Sequence, residues 1–328
     1  MKILIIRLSS IGDVILTTPV IKAFKEKYPD SQIDFLVLSQ FKDAISGNPY
    51  LEKIHLFDKN KDDGYGKIKE FSKELKEENY DYVFDLHDKM RSRIISKSLG
   101  VKTFRYKKRK FWKSILVKLG LIKYKVDNTI IKNYFGAFEA FDLEYKGEDL
   151  GFYFEDMDLE KVKEWKNYGV IAPGASQNTK KWPVEYYGEL AEKLYLKYKK
   201  PLLIIGGKED QKLAQIIKDK AKDGVIDLTG KLNLKESGAL LSQSSYLLCN
   251  DSAPFHMGRS FKILAFVFFG PTSPGMFEFN HTDNLIYNNE ICSPCSLHGG
   301  KICPKGHFNC MKKILPEKVM GIIQEKLR

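Results

Sequence analysis

Residues 1–20 read MKILIIRLSSIGDVILTTPV, and this stretch decides the fold. Lys2 to Leu8 is an apolar run broken only by Arg7, the pattern of a parallel strand covered on both faces. Ser9, Ser10 and Gly12 are the small residues needed where a strand turns into a helix. Asp13 stands at that turn. Ligands bind at the strand ends of an open parallel sheet, which places this carboxylate for chemistry. An Asp here also suits a helix N-cap, accepting a first-turn N–H.

Outward from there, a helix is expected over 13–28, with Pro19 tolerated in its first turns. Strands follow at 32–38, 53–57 and 80–86, with helices at 41–46 and 67–78 between them. This alternation argues for a doubly wound parallel sheet. Apolar periodicity gives another helix at 129–141, and the acidic, irregular stretch 142–158 holds the domain boundary. A helix at 159–167 leads into a second series, with strands at 169–172, 201–205, 225–228, 246–249 and 263–269. Helices at 184–199, 211–221, 234–242 and 254–260 separate these strands. The domains expected are 1–155 and 156–315, with a closing helix, 316–328, that can cross back to the first domain.

The 328 residues leave room for two cores, and 43% hydrophobic with 29% charged residues excludes a disordered chain. Arg7 and Asp13 interrupt the first apolar run too early for a signal peptide. No uncharged apolar run approaches the ~20 residues of a membrane span, so a cytoplasmic protein is expected. The net charge of +12 calls for an anionic partner: nucleic acid, anionic lipid or a phosphorylated glycan.

That charge is concentrated in 102–125, where ten basic residues and no acid occur. Within it Trp112, Ile115, Leu116 and Leu119 share one helical face. The pattern fits a helix lying in a membrane interface or one packed on the first domain. With Tyr106 and Phe111 interleaved among cations, it also fits a nucleic-acid surface. Asp85, His87 and Asp88 close the fourth strand, either toward a ligand or as local loop partners. Arg91 and Arg93 follow, either gripping phosphate or carboxylate bidentately or lying on a solvated helix face.

The second half carries its own strand-end motifs. In APGASQNTKKWP, 172–183, Gly174, Ala175 and Ser176 offer backbone amides to a phosphate, and Thr179, Lys180 and Lys181 add a hydroxyl and cations. GGKED, 206–210, lacks the Ser or Thr of a Walker loop, and no GxGxxG occurs. An acid in this turn either accepts ribose hydroxyls or simply favours the helix start. In NDSAPFH, 250–256, a strand runs into a helix whose free amides at Ser252 and Ala253 suit a diphosphate.

The opening string RLSSIGDVILTTPVIKAFKEKYP, these motifs and FGPTSP at 269–274 together resemble the ADP-heptose:lipopolysaccharide heptosyltransferases, glycosyltransferase family 9. The resemblance spans nearly the whole chain. It implies an α/β, GT-B architecture: two Rossmann-like domains facing across a cleft. The activity implied is inverting transfer of heptose from ADP-L-glycero-D-manno-heptose to the lipopolysaccharide inner core, onto a Kdo or heptose acceptor. Asp13 is then the catalytic base. Lys180 is the phosphate-binding lysine and Glu209 the ribose partner, joined at the donor by Thr179, Lys181, Asp251, Ser252, Ala253 and His256. Ala253 stands where the family usually has Gly. Ser10, Gly12, Arg91, Arg93, Lys107 and Arg109 are assigned to the acceptor.

No cofactor and no catalytic metal are expected, in keeping with the few carboxylate pairs near the donor motifs. The basic segment meets acceptor phosphates and Kdo carboxylates, or docks the enzyme peripherally on the inner membrane. Other classes remain: a nucleotide-sugar epimerase, a family member using another sugar, or a nucleic-acid binder, which would leave Asp13 and 250–256 unused.

Cys292, Cys295, Cys303 and Cys310 have the spacing C-x2-C-x7-C-x6-C, with His298 and His307 between them. A closed zinc site, free thiols in a reducing compartment and disulfides all fit this spacing. Similar Cys-Ser-Pro-Cys tails occur in the resembled family without carrying the catalysis. Cys249 belongs to an expected strand and its core.

Overall fold

The computed structural model describes residues 1–106 and 126–327. They divide into two units, 1–106 with 128–153, and 126–127 with 154–327. The first contains β1 (Lys2–Ile6), β2 (Gln32–Leu38), β3 (Lys53–Phe57), β4 (Tyr82–Asp85) and β5 (Lys102–Arg105), parallel in the order β3-β2-β1-β4-β5. Ile3 to Ile6 are wholly buried at its centre, as the apolar run requires. Chain direction across the sheet reverses between β1 and β4, so the ends of these two strands form the crevice where such sheets bind ligands.

The helix expected over 13–28 is two helices, Ile11–Ile15 and Thr18–Lys27. Pro19 has no N–H for the Ile15 carbonyl, and the Thr18 hydroxyl donates to that oxygen at 2.7 Å in its place. The span 41–46 is partly a 3-10 turn, Ser39–Ala44, and 129–141 is a helix, Ile130–Phe135, followed by a 3-10 turn. Phe84 of β4 stacks on Phe138 with centroids 3.8 Å apart, and Phe24, Phe104 and Phe141 surround it.

β5 corrects the reading of 102–125 as one basic segment. Its first four residues form an edge strand, in which Phe104 faces Phe84, Lys102 is exposed, and Arg105 turns to Asp85 and Ser96; charges at such positions blunt an edge. The expected amphipathic helix, with Lys107 and Arg109, lies outside the described residues.

The second unit contains β6 (Gly169–Ala172), β7 (Leu202–Ile204), β8 (Val225–Asp227), β9 (Tyr246–Asn250), β10 (Leu264–Phe269) and β11 (Asp283–Tyr287). All are parallel in the order β11-β10-β9-β6-β7-β8, so the reversal falls between β6 and β9. β11, with Asp and Asn at its start, carries too short an apolar run to be read from sequence. Trp182 stacks on Phe268 at 4.2 Å over this sheet. The closing helix, Pro316–Lys326, buries Val319 and Ile323 in the same core as Leu194 of helix Val184–Tyr198. Among the described residues no helix is long and apolar enough to cross a membrane.

Candidate active site

At the end of β1, Arg7 is the one charge in an otherwise apolar run, and it is buried. Unpaired, such a cation would be costly. Its Nη2 lies 2.7 Å from Asp13 Oδ2, its Nη1 donates to the Leu86 carbonyl at 2.6 Å, and its guanidinium sits 5.5 Å from the Tyr134 ring centroid. Asp13 occupies the third position of helix Ile11–Ile15 and accepts the Ser10 N–H at 3.3 Å and hydroxyl at 3.2 Å. The N-cap is therefore Ser10 and not Asp13, which closes the capping box from the third position instead. Among the described residues every bond to this carboxylate falls on Oδ2, while the side chain stays 32% exposed. Burial alone would push the carboxyl up; the Arg7 guanidinium and the two Ser10 donors outweigh it and hold Asp13 below its usual range. Gly12 is buried in the same turn.

At the adjoining end of β4, Asp85 accepts the His87 and Asp88 amides at 3.1 and 2.8 Å and meets Arg105 Nε at 3.2 Å. Arg91 pairs with Asp63 through Nε at 2.7 Å and through Nη2, and Arg93 Nε meets Asp88 at 2.6 Å. Both arginines are thus in ion pairs, and an anionic ligand has to share or displace their partners.

In the second unit, Asn250 ends β9 and ties three segments together. Its Nδ2 donates to the Pro173 carbonyl at 2.8 Å, and its Oδ1 accepts the Trp182 amide at 2.9 Å and the Tyr187 hydroxyl at 3.1 Å. This brings the loop after β6 beside Asp251, whose Oδ2 accepts the Thr272 hydroxyl at 2.8 Å and lies 2.7 Å from Lys180 Nζ. Ser252 is the N-cap of helix Ala253–Ser260, with Ala253 its first residue. His256 is buried against Phe277, ring centroids 5.0 Å apart. Lys180, Asp251, Ser252 and Ala253 therefore converge on the β6/β9 crevice, whereas His256 lies among aromatic rings.

Thr179 faces another way. It is buried, its N–H donates to the Gly300 carbonyl at 3.0 Å, and its Oγ1 accepts the Gly300 N–H at 2.8 Å. Glu209 is exposed in the turn after β7. The neighbouring Asp210 lies so close to the β6 loop that a Cβ at Gly174 would stand 2.4 Å from its Oδ2. Burial and the charge of Glu209 push the Asp210 carboxyl up, against Lys181. Cys292, Cys295, Cys303 and Cys310 line one small cavity with Thr179, Pro271 and Phe308. Among the described residues no group of three or more His, Cys, Asp or Glu is arranged to hold a metal ion.

A family model described as glycosyltransferase family 9 (heptosyltransferase) matches residues 68–303. The chain belongs to glycosyltransferase family 9. This member is 26% identical over 337 residues to lipooligosaccharide heptosyltransferase 2 of Campylobacter jejuni, covering 98% of this chain and 96% of that one. It is 25% identical over 292 residues to lipopolysaccharide heptosyltransferase 3 of Escherichia coli K12, covering 84% of each. Among solved structures, a family 9 glycosyl transferase from Veillonella parvula matches with a TM-score of 0.82 at 19% identity, covering 99% of this chain and 96% of that one. The E. coli ADP-heptose heptosyltransferase II matches at 0.76 and 17%, covering 99% and 98%. The fold is GT-B, built of two parallel-sheet α/β units.

Three residues of this family 9 chain escaped the sequence reading. Arg7 was visible as the lone charge in a buried strand but was not assigned a role. Asn250 is visible in the sequence only as part of a motif, since its side-chain partners lie 63 to 77 residues away. Asp210 stands beside the assigned Glu209 in the same turn, and its closeness to Gly174 shows only in the fold.

Proposed function

We propose that this family 9 glycosyltransferase moves heptose from ADP-L-glycero-D-manno-heptose to a Kdo or heptose hydroxyl of the lipopolysaccharide inner core, with inversion. The names of the Campylobacter and E. coli relatives support the substrate class. The observation that carries the mechanism is Asp13, a carboxylate held ionised at the switch point of the first sheet. Its Oδ1 accepts the acceptor hydroxyl proton as that oxygen attacks the anomeric carbon. The bond to the ADP oxygen breaks on the opposite face. Lys180, Lys181 and the amides opening helix Ala253–Ser260 stabilise the charge growing on the diphosphate, which lets protein cations do the work a divalent ion does elsewhere. Glu209 and Asp210, in the turn after β7, are the acids within reach of a ribose.

The net charge of +12 supports peripheral contact with an anionic membrane. Binding to anionic vesicles should fall between low and high salt; unchanged binding would remove that part of the reading. The transfer itself is tested by ADP release from ADP-heptose with and without Kdo-lipid A, using the native chain and Asp13→Asn. Release that needs acceptor and is lost in the variant supports the reading. Release independent of acceptor overturns it.

A further inference from the structure

The Asp13 carboxylate is asymmetric. One oxygen, Oδ2, takes the Arg7 guanidinium and both Ser10 donors, and among the described residues no bond falls on the other. Arg7 is itself fixed from three directions: by its place at the end of β1, by the Leu86 carbonyl beyond β4, and by the Tyr134 ring beneath it. Tyr106 packs edge-on against Tyr134 at 5.6 Å, which completes the aromatic wall. Among the described residues the Tyr134 hydroxyl, buried, has no hydrogen-bond partner, so its ring serves Arg7 as a face. A guanidinium suits this place because it bridges two acceptors from one plane, the carboxylate and the carbonyl, while keeping its charge near an aromatic ring.

We propose that Arg7, seated on Tyr134, is the positioning residue of the proposed base: it clamps Asp13 Oδ2 so that Oδ1 alone meets the acceptor hydroxyl, and it keeps the carboxylate ionised. The inference rests on Asp13 being that base. Among the described residues the groups facing Asp13 are Arg7 just after β1, Ser10 from the loop, Tyr106 after β5 and Tyr134 from helix Ile130–Phe135, and the charge of Asp88 acts on Tyr106. Arg7 is the only cation among them.

With Arg7 gone, burial of the carboxyl is opposed by Ser10 alone, so the pH below which activity fails moves upward. An ammonium keeps the charge but cannot bridge Asp13 and Leu86 at once. The test is the pH profile of kcat and kcat/KM for ADP-heptose and Kdo-lipid A, in the full chain and in Arg7→Met, Arg7→Lys and Asp13→Asn. Arg7→Met should lose about ten- to 100-fold in kcat at neutral pH. Its acid limb should rise into the measured range while ADP binding stays unchanged. Arg7→Lys should keep the native limb and lose part of kcat.

A native-shaped profile scaled down in Arg7→Met overturns the proposal, as does a shifted limb in Arg7→Lys. If Arg7→Met does not fold, Arg7→Lys decides. Full activity in Asp13→Asn is a different failure: it removes the base itself and with it the reading on which the inference rests.

Discussion

The Lys180 ammonium lies 2.7 Å from Asp251 Oδ2, and both side chains are largely withdrawn from solvent. The cation proposed to receive a diphosphate is therefore already neutralised, by a carboxylate that Thr272 also holds. Entry of the donor exchanges one anion for another. This explains how a lysine can wait in a buried crevice without the cost of an unpaired charge.

The pair predicts unequal effects on nucleotide binding. A hydrogen bond to a charged group contributes about 1.5–3 kcal/mol, so Lys180→Ala should weaken ADP binding about ten- to 100-fold by calorimetric titration. Asp251→Asn removes a competing anion and should not weaken it. The double variant should match Lys180→Ala. Equal losses in both single variants would show that the pair acts only as a structural tie.

Gly299 links the cysteine-bearing loop to the same lysine. Its φ is +77°, and a Cβ there would stand 2.8 Å from Lys180 Cγ, whereas Gly306, at φ +73°, has open space around it. Alanine at either position should cost about 1–2 kcal/mol of backbone strain. Only Gly299→Ala should also weaken ADP binding, because only there must the lysine side chain move. Thermal unfolding of both variants, set beside their ADP titrations, separates strain from displacement.

Glu78 bridges Lys2 and Lys53, and these lysines hold its carboxyl down to about 2 against an opposing effect of burial. A folded-state value below the unfolded one means stability that is present above the ordinary Glu range and lost as pH falls toward about 2. The melting temperature of Glu78→Gln should lie below the native value by a constant margin above about pH 4.5. That margin should close as the pH approaches 2. A margin that persists in acid would place the effect of Glu78 in packing instead of charge.

Both sheets were legible because their central strands are buried on two faces and so appear as continuous apolar runs, as in Ile3 to Ile6 and Leu264 to Phe269. Of the four edge strands, β3 and β8 were legible and β5 and β11 were not. β5 carries Lys102 and Arg105, β11 opens on Asp283 and Asn284, and edge position removes the need for such a run. The break between helices Ile11–Ile15 and Thr18–Lys27 depended on a hydroxyl replacing a missing N–H, which periodicity does not register. At the site, position singled out the loops following strands β1, β6 and β9, while the roles expected of Asp13 and Lys180 came from the family resemblance. Which of them turn inward was not legible: Thr179 faces Gly300 and Asp210 faces Gly174 because of pairings far along the chain.

Asn250 offers the sharpest test of how the β6/β9 crevice is held. It is fully buried and satisfies the Pro173 carbonyl, the Trp182 amide and the Tyr187 hydroxyl together. Asn250→Ala leaves these groups dry at about 1–3 kcal/mol each, so urea unfolding followed by tryptophan fluorescence should show a large loss at every pH. Asn250→Asp keeps an acceptor for Trp182 and Tyr187 but turns an oxygen toward the Pro173 carbonyl. Only its protonated form can donate there, and burial favours that neutral form. The folded-state pKa of the introduced carboxyl then lies above the unfolded one, so the stability it confers is full in acid and lost as pH rises. The aspartate variant should therefore be unstable at pH 7 and recover toward pH 5, while the alanine variant does not recover. Parallel pH dependence in the two would mean that the Pro173 contact is not what holds the loop after β6 in place.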